Sequence, residues 1–244
     1  MRNEAGRPAP PVLACSPMTT SSAPTPRTRV HRIPELAAYD RPTIDRVLDA
    51  GLVAHLGFVD DGQPFVIPTL YSRCDDLVYI HGSAVSRPLK KAAGGIPVCL
   101  TVTLLDGIVL ARSIFEHSMD YRSVVVLGSA TLVQEPEEKL LALRAFSDQV
   151  LPGRWQDSRP PTDQEVKATT ILSLPLTEAS AKISAGPPED AAADGDLDVW
   201  AGNIPFVVKA LDPIPDPALR PGIPVPDYAL SYEREGLTTP PDYA

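Results

Sequence analysis

Apolar and polar residues alternate over several short runs of this chain, and turn-forming residues separate the runs. Leu52–Val59 ends in Asp60-Asp61-Gly62, Phe65–Tyr71 ends in the polar stretch 72–76, and Leu77–His81 follows. An Asp-Gly pair between two apolar runs signals a tight hairpin, because the favoured two-residue turn needs positive φ at both positions. The signal recurs at Asp106-Gly107 and predicts a second hairpin between Pro97–Leu105 and Ile108–Ser113. Tyr121–Val133, Thr169–Leu176, Ala179–Ser184 and Trp200–Leu211 read as further strands.

Three segments change to helical spacing. Pro42 opens a short helix with Ile44, Val47 and Leu48 on one face and Gly51 as its stop. Ser86–Ala93 reads as a second, ended by Gly94-Gly95. Pro136 opens the longest, with Glu137 and Glu138 at its positive end and Leu140, Leu143 and Val150 as a core-facing stripe. Many short strands with few helices predict a mainly β fold with minor α, an antiparallel barrel closed or partly closed, with a sandwich as the alternative. No repeat of fixed period is present.

Proline crowds both ends. Residues 1–34 are rich in Pro, Ser, Thr and Ala and poor in large apolar side chains, so they are expected to form a disordered tail. The ordered domain is expected over 35–211, followed by a Pro-rich extension over 212–244. The 244 residues are 43% hydrophobic, enough to bury a core. The formal charge of −9 offers no general attraction for nucleic acid or an anionic membrane, so neither is expected as a partner. No apolar run reaches the roughly 18–20 residues of a membrane span, and residues 1–17 hold no signal-like apolar core. Cys15, Cys74 and Cys99 form no CxxC pair, which suits a reducing cytoplasm, and Cys99 reads as a small buried hydrophobe.

The chain lacks GxGxxG, P-loop, HExxH and GxSxG signatures. His31, His55, His81 and His117 have no partner at metal-ligand spacing, so no metal site is expected. Three pieces remain. His81-Gly82-Ser83 runs through a small-residue loop to Ser86, Arg87 and Lys90 at a helix start. There, exposed N–H groups and a guanidinium make an anion pocket, or else an ordinary capped helix with solvated cations. Val66-Ile67-Pro68-Thr69 is a strand able to border a cleft, or plain core. Arg112 to Arg122 places charged groups between two strong strands, which is expensive unless those groups are satisfied or used.

Taken together, His81-Gly82-Ser83…Ser86-Arg87, Pro97-Val98-Cys99, Leu110-Ala111-Arg112-Ser113 and His117-Ser118-Met119…Tyr121-Arg122-Ser123-Val124 resemble the pyridoxamine 5′-phosphate oxidase-like proteins. Within them the chain looks most like the flavin-nucleotide-binding branch that includes nitroimidazole-resistance reductases. The resemblance spans about residues 35–225. It implies an antiparallel FMN-binding split barrel with short flanking helices, working as a homodimer with flavin at the interface. By that resemblance Val66, Ile67, Pro68 and Thr69 border the ring and ribityl chain. His81, Gly82, Ser83, Ser86, Arg87 and Lys90 surround the phosphate, and Tyr121, Arg122 and Ser123 lie near the ring or the partner. Pro88 stands where many relatives carry a basic residue, and Lys90 is the nearest substitute. No residues match those that hold vitamin B6 in the true oxidases.

The expected activity is therefore flavin-dependent oxidoreduction, from reduced nicotinamide to a small-molecule acceptor, with the flavin supplying the redox chemistry. FMN is the expected cofactor and FAD the alternative. His117 and Tyr121 are the candidate proton donors, although both also suit interface or barrel-end packing. A flavin carrier or sensor without turnover is a second reading, and a barrel holding haem or deazaflavin is a third.

Overall fold

The apolar half of each alternating run turns to one side, where it lines the interior of a split barrel. The computed structural model describes residues 24–83 and 94–237. In chain order the elements begin with β1 (Ala37–Ala38), helix α1 (Arg41–Ala50), β2 (Val53–Asp60), β3 (Gln63–Cys74) and β4 (Leu77–Ser83). Then follow β5 (Pro97–Leu110), β6 (Ser118–Ser129), β7 (Thr131–Leu132), helix α2 (Pro136–Val150), β8 (Thr169–Pro175), β9 (Ala179–Ser184) and β10 (Gly202–Pro205). Shorter helical turns lie at Arg154–Asp157, Asp163–Ala168 and Asp227–Leu230.

The antiparallel order is β1-β9-β6-β5-β2-β3-β4-β8-β7, with β10 added beside β5. After Ala130, β7 continues the path of β6 and pairs Thr131 with Ser173 and Leu132 with Leu172 of β8. The β6 segment before it pairs with β9 instead. One extended stretch thus crosses between two partners, which closes the barrel and leaves the split. Ala54, Leu56, Leu100, Val102, Val124 and Leu172 fill the interior, and Ile44, Val47 and Leu48 of α1 plug one end.

The β2–β3 turn is the hairpin expected, with φ of 50° at Asp61 and 79° at Gly62. Asp106-Gly107 is not a turn. β5 runs straight through it, paired with β6 on one side and with β10 over Gly107–Leu110 on the other. The extra residue is absorbed as a β-bulge between Leu105 and Gly107, and neither 106 nor 107 has positive φ. Neighbours on both flanks hold the backbone extended and override the local turn preference. Similarly, only Gly202–Pro205 of the expected 200–211 strand pairs, and the chain leaves the sheet after Pro205. The expected 86–93 helix lies outside the described residues.

Asp40 caps α1 by accepting from Thr43 N at 2.9 Å, and that hydrogen bonding holds its carboxyl below the usual range. In α2 the buried residues are Ala142 and Phe146, with Leu143 partly buried against the same cluster, while Leu140 and Val150 stay exposed. The small Ala142 lets the helix lie close on the sheet, and this rotates the core-facing stripe from the one expected. Gly51 follows α1 where the chain turns into β2. A Cβ there would lie 2.5 Å from the Tyr71 hydroxyl and 2.6 Å from Val102 Cγ1, both on fully buried side chains. Gly51→Ala should therefore destabilise the protein by about 1–3 kcal/mol through overpacking. A lowered urea midpoint at unchanged m-value is the expected observation.

Candidate functional site

Because side chains alternate across a strand, each sequence cluster in β3 and β6 is divided between two sides of the sheet. His55 of β2 stands opposite Pro68 of β3 and Thr101 of β5, and Thr101 stands opposite Val125 of β6. This row lies on the outer face, as do Gly57 with Val66 and Leu105 with Tyr121. Part of that face is roofed by α2, where Tyr79, Val133, Ala142, Phe146 and Ile171 form a second apolar cluster. The rest is bare. Val53 is 51% exposed, Val66 68% and Leu105 47%, and His55 and Pro68 are exposed beside them.

Val66, Pro68, Tyr121 and Ser123 all face this side, with Tyr121 and Ser123 half-buried, but the register separates them: the Val66 row meets β6 at Leu127 and the Pro68 row at Val125, three strands across. Ser123 Oγ donates to Lys182 O at 3.3 Å. Ile67 and Thr69 point the other way. Ile67 packs against the interior, and the Thr69 hydroxyl donates to Leu70 O at 3.1 Å. His81, Gly82 and Ser83 end β4, paired with Ile171, Thr170 and Thr169 of β8. The His81 ring packs on Phe146 at 4.2 Å between centroids, and its Nδ1 is buried with no partner among the described residues. Ser86, Arg87 and Lys90 lie outside the described residues.

His117 is exposed, and its Nε2 lies 3.2 Å from Ala111 O, to which the Nε2–H tautomer donates. The polar stretch after Ala111 is held by the acidic loop. Asp190 accepts from the backbone N–H groups of Arg112 and Ser113 at 2.7 and 3.2 Å, and from Arg112 Nη1 at 2.9 Å. Nothing local links Asp190 to the segment 77 and 78 residues earlier that it holds.

Arg122, although flanked by Tyr121 and Ser123, projects to the opposite side. Its guanidinium donates to both carboxylate oxygens of Asp106 at 2.8 and 2.6 Å and to Gly236 O. Nearby, Asp120 Oδ2 accepts from Asn203 Nδ2 at 2.6 Å, and burial together with the Asp106 charge pushes the Asp120 carboxyl up. Arg122 and Gly236 border a cavity of about 530 Å³ beside α1, also walled by Arg46, Asp49, Gln149 and Arg234. Arg234 Nε donates to Ala50 O at 2.7 Å and Nη2 to Gly51 O at 2.9 Å, and the same guanidinium reaches Asp49 O and Gln149 O. One arginine thereby caps the C-terminal ends of α1 and α2 together, where their carbonyls concentrate negative charge.

Burial lowers the His81 pKa below its ordinary 6.5. The unfolded chain then binds the additional proton. The stability that the neutral ring contributes is complete above about pH 6.5 and is lost as pH falls through the lowered folded-state value. Urea midpoints should decline from pH 7 to pH 5 in the native protein, and His81→Leu should show a shallower decline. Parallel profiles for the two proteins would place the acid sensitivity elsewhere.

Among the described residues no group of three or more His, Cys, Asp or Glu could hold a metal ion, and no helix is long and apolar enough to cross a membrane. The strip offers an exposed, partly apolar floor that reaches the small-residue exit of β4. Such a surface suits a planar ring system with a polar tail.

Comparison with known proteins places this geometry in context. The pyridoxamine 5′-phosphate oxidase family model matches residues 40–183. The flavocytochrome Anf3 of Azotobacter vinelandii is similar at 42% identity and a TM-score of 0.82, over 86% of this chain and 98% of that one. The FAD and haem binding protein of Mycobacterium smegmatis is similar at 35% identity and 0.76, over 79% and 95%. A candidate 5-nitroimidazole antibiotic resistance protein of Bacteroides thetaiotaomicron shares the fold at 20% identity and 0.51, over 60% and 86%. No curated protein sequence matches.

Proposed function

We propose that this chain, which belongs to the pyridoxamine 5′-phosphate oxidase family, is a flavin-dependent oxidoreductase that also holds haem and works as a homodimer. The observation that carries the reading is the likeness, over most of both chains, to a flavocytochrome and to an FAD and haem binding protein. FAD is assigned in preference to FMN after the second of these names. The bound flavin would take electrons from reduced nicotinamide and release them toward the haem or a small acceptor.

The residues fit a flavin. Val66 and Pro68 would floor the ring and Gly82-Ser83 would lead its tail toward Ser86, Arg87 and Lys90, while Tyr121 and Ser123, three strands away on the same face, would meet the partner subunit. His81, with an unpartnered buried Nδ1, stands at that exit. For haem, His55 and His117 present exposed imidazoles, and His55 does so on the same strip. The bare apolar area around Val53, Val66 and Leu105 favours cover by a second subunit.

Purified protein should show flavin bands and a Soret band, and the flavin bands should bleach on anaerobic addition of NADH or NADPH. Colourless protein that takes up neither FAD, FMN nor haemin at micromolar levels would overturn the reading. Arg87→Ala should weaken flavin binding roughly ten- to a hundredfold by removing charge-assisted phosphate bonds. Equilibrium titration of the flavin-free protein measures it, and unchanged affinity would move the phosphate away from Arg87.

A further inference from the structure

Every residue from 204 to 224 is exposed, a run that no other part of the described chain approaches. Its two ends are nevertheless tied into the fold. Phe206 N donates to Asp106 O and Val208 N to Leu237 O, while beyond Tyr228 the chain returns to the Arg234 clamp. Between Val208 and Pro226 the hydrogen bonds among described residues are internal, made by Asp216 with Ala218 and Leu219. Pro213, Pro215, Pro217, Pro221 and Pro224 stiffen the segment toward an extended form. Sixteen residues at about 3.1 Å each, leaving and returning to neighbouring anchors, can reach roughly 25 Å from the body.

The segment is also apolar where it is most exposed: Leu211 is 87% and Ile214 93% accessible, and Val208 62%. Large apolar side chains held out on a stiff loop signal a surface that another chain covers. Its charge points to which chain. Lys209 and Arg220 balance Asp212 and Asp216, so the segment is neutral in a protein of net charge −9. It can press against a second acidic copy without adding repulsion, whereas it offers no basic cluster to a membrane or nucleic acid. The same copy presents uncovered apolar side chains at Val53 and Leu105.

We infer that residues 209–224 form an arm that lies on a second copy of this chain, each subunit giving one arm and receiving one about a two-fold axis. The inference rests on the homodimer reading and adds the element that makes the dimer. Sedimentation equilibrium of the full chain and of the Leu211→Asp/Ile214→Asp variant tests it. Neither side chain supports its own subunit's core, so the far-ultraviolet circular dichroism of the variant should match the native protein. The native chain should be a dimer, and the variant's dissociation constant should rise roughly a hundredfold or more. A native dimer whose dissociation constant the double substitution leaves unchanged overturns the arm and leaves the dimer standing. A native chain that stays monomeric removes the dimer and the arm together.

Discussion

Replacing Arg122 with alanine should lower the free energy of unfolding by about 3–5 kcal/mol. The Asp106 side chain is only 6% exposed and receives two parallel bonds from that guanidinium, so truncation removes the charged partner of a buried carboxylate. It also removes the donor to Gly236 O, which helps hold the C-terminal segment on the cavity. Chemical denaturation gives the loss directly. The paired variant Arg122→Met/Asp106→Leu should regain much of it, because removing both charges leaves none desolvated. Tyr121→Phe and Ser123→Ala, on the other face, should stay within about 1 kcal/mol of the native protein while weakening any ligand of the strip. A loss under about 1 kcal/mol for Arg122→Ala, or a loss of flavin affinity in its folded fraction, would return Arg122 to the outer face.

Arg234→Ala should cost about 1.5–3 kcal/mol. Four carbonyl groups at the ends of two helices lose a charged donor, and Gln149, which donates to Leu48 O and Gly51 O, replaces only part of that bonding. Arg234→Lys should recover only some of the loss, since an ammonium lacks the planar fork that spans several carbonyls. Thermal unfolding of the three proteins should rank native, lysine, alanine. An alanine variant as stable as the native protein would mean that residues 232–236 rest on the body without supporting it.

Where sequence and structure agree, the signal was local. Asp61-Gly62 forms its turn because both residues tolerate the left-handed region, and Pro42 with Gly51 bounds α1 as expected. The capping box at Thr162 and Glu165 rests on an equally local pattern, and it forms. Disagreement arose where a distant strand outvoted a local preference. Asp106-Gly107 carries the same dipeptide signal as 61–62, yet β6 and β10 hold it straight and turn it into a bulge that aims Asp106 at Arg122. The site divided in the same way. Tyr121, Arg122 and Ser123 form one word in the sequence, and the pleat sends the middle letter to the other side.

The sequence by itself determined that this chain is mainly antiparallel β with a barrel or a sandwich as its form, because two-residue alternation and turn chemistry act within a few residues of each other. Motif resemblance carried it to the family. Only the tertiary structure decided which members of each motif share a surface, where the buried charges find partners, and that Asp190, Arg234 and Leu237 belong to the core's support. Those outcomes depend on strand register and on contacts between residues tens to nearly two hundred positions apart. A one-residue shift in pairing would reverse every face, and no local pattern encodes that register.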